Sequence, residues 1–216
     1  MDFGTEGIID DIKYFIRDNT INRRDRKRLK NKSFSLISCD CLGSIKLHDL
    51  RLRFNTPTVN LWFMPGDFIK LCTNFRHYME QELVFLDRRE EGVDYPVAKL
   101  DDITVYFMHY SSEEEAGQKW DERKKRINYE DLYFIMVNRK NNISYEQMRE
   151  FDEKLQGFPH MIITLDKVDG IKSAFYCETD ERRLLSLYKN KLSVRRFYDK
   201  FDFVGWFNKE ISSLEQ

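Results

Sequence analysis

Residues 34–44 read Phe-Ser-Leu-Ile-Ser-Cys-Asp-Cys-Leu-Gly-Ser, and the chain continues through Ile-Lys-Leu-His-Asp-Leu at 45–50 to Phe-Asn-Thr-Pro at 54–57. The first part, Phe34 to Cys39, is apolar and β-branched and lacks a helical period, which is typical of a buried strand in an α/β sheet. Gly43 permits backbone angles that other residues avoid, and Asp40 and Ser44 are residue types of turns and helix caps. The stretch therefore predicts a buried strand, a tight turn and a short helix.

Cys41 falls in that turn, at the carboxyl end of the predicted strand. In open parallel sheets this edge is where ligands bind. A thiol is a nucleophile and Asp40 stands directly before it, so Cys41 is the first candidate for chemistry and Asp40 is grouped with it. The alternative is that a cysteine stands here only because it is small enough for a crowded turn.

His109 is the second candidate. It ends the stretch Ile103 to Tyr110, which alternates in strand spacing, and Ser112-Glu-Glu-Glu115 then has the spacing of a helix capping box. His109 thus has the same kind of position as Cys41, and the two would meet if their strands were parallel neighbours. A thiol with an imidazole in hydrogen-bond reach is an activated nucleophile with its base. The alternative is an imidazole bonded to backbone at a strand end.

Strands of buried type alternate with amphipathic helices along the rest of the chain. Strands are expected at Thr58–Phe63, Leu132–Val137, His160–Leu165 and Ser173–Cys177, and helices at Pro65–Leu83, Ser112–Ile127, Ser144–Leu155, Asp180–Asn190 and Phe203–Leu214. This order predicts a three-layer α/β/α sandwich with a mostly parallel, Rossmann-like sheet. Residues 34–216 are expected to form one domain, preceded by an amphipathic basic helix within residues 1–33 that packs on it.

The charge balance argues against a nucleic-acid partner, because 36 Lys and Arg stand against 37 Asp and Glu, a net charge of −1. The four cysteines, at 39, 41, 72 and 177, lack metal-ligand spacing, so no bound metal is expected. Their scatter, the lack of a signal peptide and the lack of an apolar run of about 18 residues indicate a cytoplasmic protein.

The segment from 21 to 32 is strongly basic. Apolar residues recur at helical spacing from Ile8 onward, at Ile8, Ile9, Ile12, Phe15, Ile16, Ile21 and Leu29, and the cations of the basic segment are Arg23, Arg24, Arg26, Lys27, Arg28, Lys30 and Lys32. A basic amphipathic helix can lie on anionic lipid, so this segment predicts peripheral contact with the inner face of a membrane. The alternative is a solvated helix face with Asp25 interleaved among the cations.

The chain also resembles a bacterial family, on several separate runs of residues. Ser38-Cys-Asp-Cys-Leu-Gly-Ser44 looks like a Ser-Asn-Asn-Cys-Trp-Gly-Gly signature, and Asn55-Thr-Pro-Thr58 looks like the Ser-Pro-Thr that follows it. Further runs in family order include Phe107-Met-His-Tyr110, Trp120, Arg123 and Arg126-Ile-Asn128. The family is filed as domain of unknown function nineteen-nineteen, and its members are commonly labelled exopolysaccharide or capsule biosynthesis proteins. Asp40, Leu42 and Ser44 depart from its pattern, where it has Asn, Trp and Gly.

The resemblance implies a transferase of surface polysaccharide assembly whose substrate is a sugar or glycan, in such pathways often lipid-linked. The concrete expectation is acyl transfer to a sugar hydroxyl from a donor such as acyl-CoA, with Cys41 as nucleophile and His109 as base. Ser44 or turn amides would stabilise the oxyanion, and Arg123 or Arg126 would hold a donor phosphate. The family runs add three residues to the candidate substrate site, namely Asn55, Thr58 and Tyr110.

Two alternatives stay open. One is a glycosyltransferase in which His109 is the base and a nucleotide sugar is bound by residues at the carboxyl ends of predicted strands, namely Asn138, Arg139 and Asp166. The other is a non-catalytic subunit that binds a glycan or a lipid carrier while its basic helix docks at the membrane.

Overall fold

The computed structural model describes residues 3–87, 91–138, 142–178, 188–189 and 193–211. The helices are α1 (Phe3–Arg17), a π-helical turn (Asp18–Asn22), α2 (Arg23–Arg28), α3 (Leu42–Asp49), α4 (Pro65–Thr73), α5 (Phe75–Glu80), α6 (Glu113–Lys124), α7 (Tyr145–Lys154) and α8 (Phe203–Phe207). The strands are β1 (Ser35–Ser38), β2 (Leu83–Phe85), β3 (Val97–Leu100), β4 (Ile103–Tyr106), β5 (Leu132–Asn138), β6 (His160–Thr164) and β7 (Ala174–Tyr176). The helix predicted at 180–190 falls, except for 188 and 189, outside the described residues.

The strands form two sheets. The first is parallel, with the order β1-β5-β6-β7, and the second is antiparallel, with the order β2-β3-β4. Every residue of β1 and β5 is buried. Strands that are covered on both faces lose the alternation of apolar and polar residues, which is why β5 reads as an almost continuous apolar run and why the serines at the two ends of β1 are buried as well. The predicted mostly parallel sheet is confirmed.

Helices cover both faces of the parallel sheet. The ring of Tyr133 packs on Trp206 and Phe207 of α8, with centroids 4.8 and 5.3 Å away. The next residue, Phe134, contacts Phe75 of α5 instead. Because successive strand residues point to opposite faces, these contacts mark two covering layers. The predicted three-layer α/β/α sandwich is therefore present, in addition to the antiparallel sheet.

Two predicted strands differ from the structure. Thr58–Phe63 is mainly a turn, in which Asn60 has a φ of 61°, and it pairs only through a bridge between Trp62 and Tyr106. The strand predicted at Ile103–Tyr110 ends at Tyr106. Both sequences have strand character, but a strand extends only as far as a neighbour offers hydrogen bonds.

The helix caps form largely as the local sequence predicts. Ser144 and Gln147 make a complete capping box at the start of α7. Ser112 accepts the N–H of Glu115 at the start of α6, but the Glu115 carboxylate reaches Ser111 rather than Ser112. The long helix predicted from Pro65 is interrupted between α4 and α5.

The predicted N-terminal helix is present and packs on the domain through charged side chains. Arg17 is fully buried, with Nη2 2.9 Å from Oδ1 of Asp199. Nζ of Lys46 in α3 lies 3.3 Å from Oδ2 of Asp25 in α2. The side of this helix that faces the protein is thus its polar side.

Gly43 lies in the first turn of α3, beside β1. A Cβ built on Gly43 would lie 2.6 Å from Cβ of Ser38 and 3.7 Å from Cδ2 of Leu36. Gly43 itself is helical, so the expectation that it serves an unusual backbone angle is wrong. The position requires the absence of a side chain, because only then can α3 approach β1 closely enough to hold Cys41 at the end of the strand.

We expect Gly43→Ala to lower the free energy of unfolding by about 1–3 kcal/mol, the range for overpacking a close contact. Gly66→Ala is the matched control, because nothing lies within 4 Å of a Cβ built on Gly66. Replacing this helical glycine should be neutral or slightly stabilising. Urea denaturation followed by circular dichroism measures both variants. Equal unfolding midpoints would contradict the steric account.

Candidate active site

The turn after β1 places the Cys41 thiol at the start of α3. Oδ1 of Asp40 accepts the N–H of Leu42 (2.9 Å), and the Ser44 hydroxyl donates to the Cys41 carbonyl (2.8 Å). Short polar side chains close such turns onto the backbone, which explains the residue types at 40 and 44. The Ser44 hydroxyl is therefore engaged with the backbone of the turn.

His109 reaches Cys41 from the second sheet. After β4 the chain turns, so that the N–H of Tyr110 donates to the carbonyl of Phe107 (3.0 Å). Nε2 of His109 then lies 3.1 Å from Sγ of Cys41. The expected contact is present, but the expected route is wrong, because β4 is antiparallel and belongs to a different sheet from β1.

The thiol and the imidazole can exchange a proton. With its own proton on Nδ1, a neutral His109 leaves Nε2 as an acceptor for the S–H, and a protonated His109 donates to a thiolate. Across the described ranges, no carboxylate forms a hydrogen bond or an ion pair with His109. Within those ranges the two side chains therefore form a dyad rather than a triad.

The amino end of α3 favours negative charge near Cys41. This helix has eight residues, and amides of its first turn, such as those of Gly43 and Ser44, have no acceptor inside the helix. Such amides and the helix dipole stabilise an anion at this end. The same amides could stabilise a carbonyl oxyanion, the role for which the sequence suggests Ser44 or turn amides.

A cavity of about 180 Å³ opens beside the thiol, between the ends of β1 and β5 and the loop before α4. Asp40 and Cys41 contribute to its polar side, and much of its apolar wall is formed by Leu61, Trp62, Phe63, Met108 and Ile143. None of these five apolar residues was predicted from the sequence to be a site residue, although Met108 stands beside His109 in one of the family runs. They reach the cavity only through the turn at residues 56–60 and the short loops after β4 and β5.

Tyr110 and Arg123, predicted to bind substrate, lie together behind this wall. The Tyr110 hydroxyl donates to the carbonyl of Val59 (3.0 Å), and the Arg123 guanidinium donates to the same hydroxyl. Tyr110 is buried. These contacts anchor the turn that precedes the cavity wall, and a role in substrate binding stays a prediction.

Three more predicted residues contact or belong to the same loop, residues 54–60. Arg126 donates to the Phe54 carbonyl at 3.4 Å, and Thr58 is buried with its hydroxyl bonded inside the loop. The Asn55 carbonyl accepts the Ser35 hydroxyl (2.7 Å) at the amino end of β1, whereas Cys41 follows the carboxyl end. The structure therefore does not bring Asn55 to the dyad.

The residues expected around a nucleotide sugar follow the ends of β5 and β6. The buried amide of Asn138 donates to the Ile143 carbonyl and accepts the Ile143 N–H, both at 3.3 Å. Asn138 thereby shapes the loop that brings Ile143 into the cavity wall. Asp166 is half-buried just beyond β6, and Arg139 lies outside the described residues.

The other thiols are less suited to reaction than Cys41, which is only half-buried. Burial raises the pKa of Cys72 well above its ordinary value and raises the pKa of Cys177 to about 12. Cys39 is buried, and its sulfur accepts the N–H of Val137 (3.2 Å). Because the thiolate is the nucleophile, Cys41 is the best placed of the four cysteines to act as one.

In the ranges that the structure describes, no group of three or more His, Cys, Asp or Glu side chains is placed to hold a metal ion. No helix in those ranges is both long and apolar enough to cross a bilayer.

Fold and site together define an α/β protein with a Cys–His pair at the edge of a mostly parallel sheet. The chain belongs to the family described as Domain of unknown function (DUF1919), whose model matches residues 12–208. A protein of Haemophilus influenzae described as "Uncharacterized protein" is 35% identical over 191 residues, which cover 87% of this chain and 90% of that protein. The family suggested by the sequence motifs is thereby confirmed, and the matched residues include both members of the dyad.

We expect iodoacetamide to alkylate Cys41 near neutral pH faster than Cys39, Cys72 or Cys177. A hydrogen bond to a charged group contributes about 1.5–3 kcal/mol, so losing the imidazole in His109→Ala should slow the reaction at Cys41 roughly 10- to 100-fold. Peptide mass spectrometry over time measures each site. His77→Ala is the matched control, because His77 is exposed and bonds Asp101 instead. An unchanged rate in His109→Ala would rule out activation by the imidazole.

Arg123→Met should lower the free energy of unfolding by about 1.5–3 kcal/mol, because the buried Tyr110 hydroxyl loses a charged donor. The neighbouring Lys124→Met is its control. Among the described residues, Lys124 pairs with Asp121 at 4.0 Å, and the Asp121 side chain is largely exposed, so the loss of this ion pair should change stability by less than about 0.5 kcal/mol. Urea denaturation compares the two. If Arg123→Met unfolds at the wild-type midpoint, Arg123 does not support the loop.

Proposed function

We propose that the protein is an acyltransferase of surface polysaccharide assembly, which transfers an acyl group to a sugar hydroxyl through Cys41 and His109. The supporting observation is the 3.1 Å contact between Sγ and Nε2 at the amino end of α3. A thiol that has its base in reach and lies at a helix terminus is suited to covalent catalysis. The family's members are commonly labelled exopolysaccharide or capsule biosynthesis proteins, and this label suggests that the acceptor is a sugar hydroxyl.

In the first half-reaction, Nε2 of His109 takes the thiol proton and Sγ of Cys41 attacks the carbonyl carbon of a thioester donor, such as an acyl-CoA. A C–S bond to Cys41 forms, and the carbonyl oxygen becomes an oxyanion that the amides of Gly43 and Ser44 can stabilise. The donor's own C–S bond then breaks. His109 returns the proton to the departing thiolate, and the acyl group remains on Cys41.

In the second half-reaction, His109 takes the proton of a sugar hydroxyl, and the hydroxyl oxygen attacks the thioester carbon on Cys41. The C–O bond of the new ester forms, the C–S bond breaks, and the proton passes from His109 to the Cys41 sulfur. No oxidant or reductant is needed. The cavity of about 180 Å³ is large enough for a short acyl group beside the thiol. An acyl-CoA donor would place this chemistry in the cytoplasm.

The test is to incubate the purified chain with acetyl-CoA and longer acyl-CoA donors and to measure intact mass and peptide masses. We expect one acyl group on Cys41, labile to hydroxylamine, and none in Cys41→Ala. Its formation should fall by roughly 100-fold or more in His109→Ala, the usual contribution of a general base. His77→Ala again serves as the control that keeps a wild-type rate.

The result that would overturn the proposal is an intact protein that is never acylated by these donors. If nucleotide sugars then raise the melting temperature, the glycosyltransferase alternative replaces it. If neither donor class does so, a non-catalytic binding subunit is the better account.

A further inference from the structure

The N-terminal helix faces the protein with its polar side, the reverse of the usual arrangement. A surface helix normally directs its apolar side to the core. Here the buried residues of α1, the π-helical turn and α2 include Lys13, Arg17, Asn22 and Asp25. The opposite side exposes four large apolar residues, with 49%, 54%, 70% and 42% of their surface accessible: Ile9, Ile12, Phe15 and Ile16.

Buried ion pairs hold the helix in this orientation. Arg17 bonds Asp199 on the inner side, and Asp25 meets Lys46. Rotating the helix to bury its apolar side would separate these charges inside the protein, and an unpaired buried charge is strongly destabilising. The apolar side is therefore kept in solvent by the rest of the fold.

The exposed apolar side continues directly into cations. Exposed positions recur every three or four residues, so one outer strip runs along the helix. The outer strip consists of Ile9, Ile12, Phe15, Ile16, Asn19, Thr20, Arg23, Arg24 and Lys27. The carboxylates beside it are Asp10, which lies 3.5 Å from Lys13, Asp18, which is bound by Arg26 and Arg51, and the exposed Asp11.

A cleft of about 450 Å³ borders the basic end of the outer strip. Five cations line this cleft against three carboxylates, the cations being Arg24, Arg28, Lys46, Arg195 and Lys200. Four of the five form ion pairs, with Asp25, Asp202 and Glu178, so the cleft adds a small excess of positive charge to this end. The partner that complements this end of the helix is therefore an anionic surface. The adjoining apolar residues require that the same surface also accept hydrocarbon.

We propose that the outer strip docks the protein on an anionic lipid surface. Ile9, Ile12, Phe15 and Ile16 enter the boundary between head groups and acyl chains, while Arg23, Arg24 and Lys27 contact the phosphates. The contact extends over residues 9–27 rather than the basic segment 21–32 alone. It does not depend on the chemistry of Cys41 and His109.

The test is co-sedimentation of the full chain with vesicles of phosphatidylcholine, with or without phosphatidylglycerol. We expect binding to the vesicles that contain phosphatidylglycerol, and weaker binding as salt rises from about 0.05 to 0.5 M. Ile12→Asp with Phe15→Asp should reduce the partition coefficient roughly 100-fold, because two apolar side chains are lost from the contact. Replacing Arg23, Arg24 and Lys27 together with Gln should have a similar effect, roughly 100-fold.

Val84→Asp is the matched control, since Val84 is 61% exposed in β2 and should leave vesicle binding unchanged. Circular dichroism and the urea midpoint check that each variant folds. Failure of the intact chain to bind phosphatidylglycerol vesicles overturns the proposal, as does equal binding by Ile12→Asp/Phe15→Asp. A dimer in analytical ultracentrifugation that this double variant dissociates, without vesicle binding, would assign the outer strip to contact between two copies instead.

Discussion

The close approach of α3 to β1, permitted by the missing side chain of Gly43, sets the position of two separate parts of the molecule. At its amino end α3 holds Cys41 against His109. At its carboxyl end it presents the buried carboxylate of Asp49, which lies 2.6 Å from Nη1 of Arg196. We call the buried ion pairs of Arg17, Asp49, Arg196 and Asp199 the ionic centre. A shift of α3 by the width of one methyl group would therefore move the candidate active site and the ionic centre together, because a helix transmits displacement along its whole length.

The ionic centre joins segments that are far apart in sequence. Arg17 comes from α1, Asp49 from α3, and Arg196 and Asp199 from the segment before α8. Burial alone would lower the pKa of Arg17, but its hydrogen bond to Asp199 raises it, so the guanidinium stays charged. Buried pairs of this kind add little net stability compared with apolar packing, and what they contribute here is orientation. They determine which side of the N-terminal helix faces the protein, and hence which side is left for a partner.

The candidate active site lies where the two sheets meet. β1 and β5 of the parallel sheet supply the thiol and part of the cavity wall, and the turn after β4 of the antiparallel sheet supplies the imidazole. The bridge between Trp62 and Tyr106 ties the loop before α4 to β4, and Tyr110 with Arg123 anchors that loop from behind. The distance between Cys41 and His109 thus depends on how the second sheet is docked, which is a property of the whole fold.

The sequence by itself determined the features that local interactions control. The apolar runs of β1 and β5 predict buried strands, Ser112 and Ser144 cap their helices, and Cys41 and His109 can be recognised as polar residues that follow strands. These signals are sufficient because a capping hydrogen bond joins residues only a few positions apart, and because the spacing of apolar residues within one helix or strand depends on neighbouring positions alone. Only the tertiary structure decided that His109 comes from a second sheet, that Arg123 and Arg126 hold a loop, and that Phe15 faces solvent. Each of those outcomes depends on contacts between residues distant in sequence, where a buried charge or an absent Cβ outweighs the preference of any single segment.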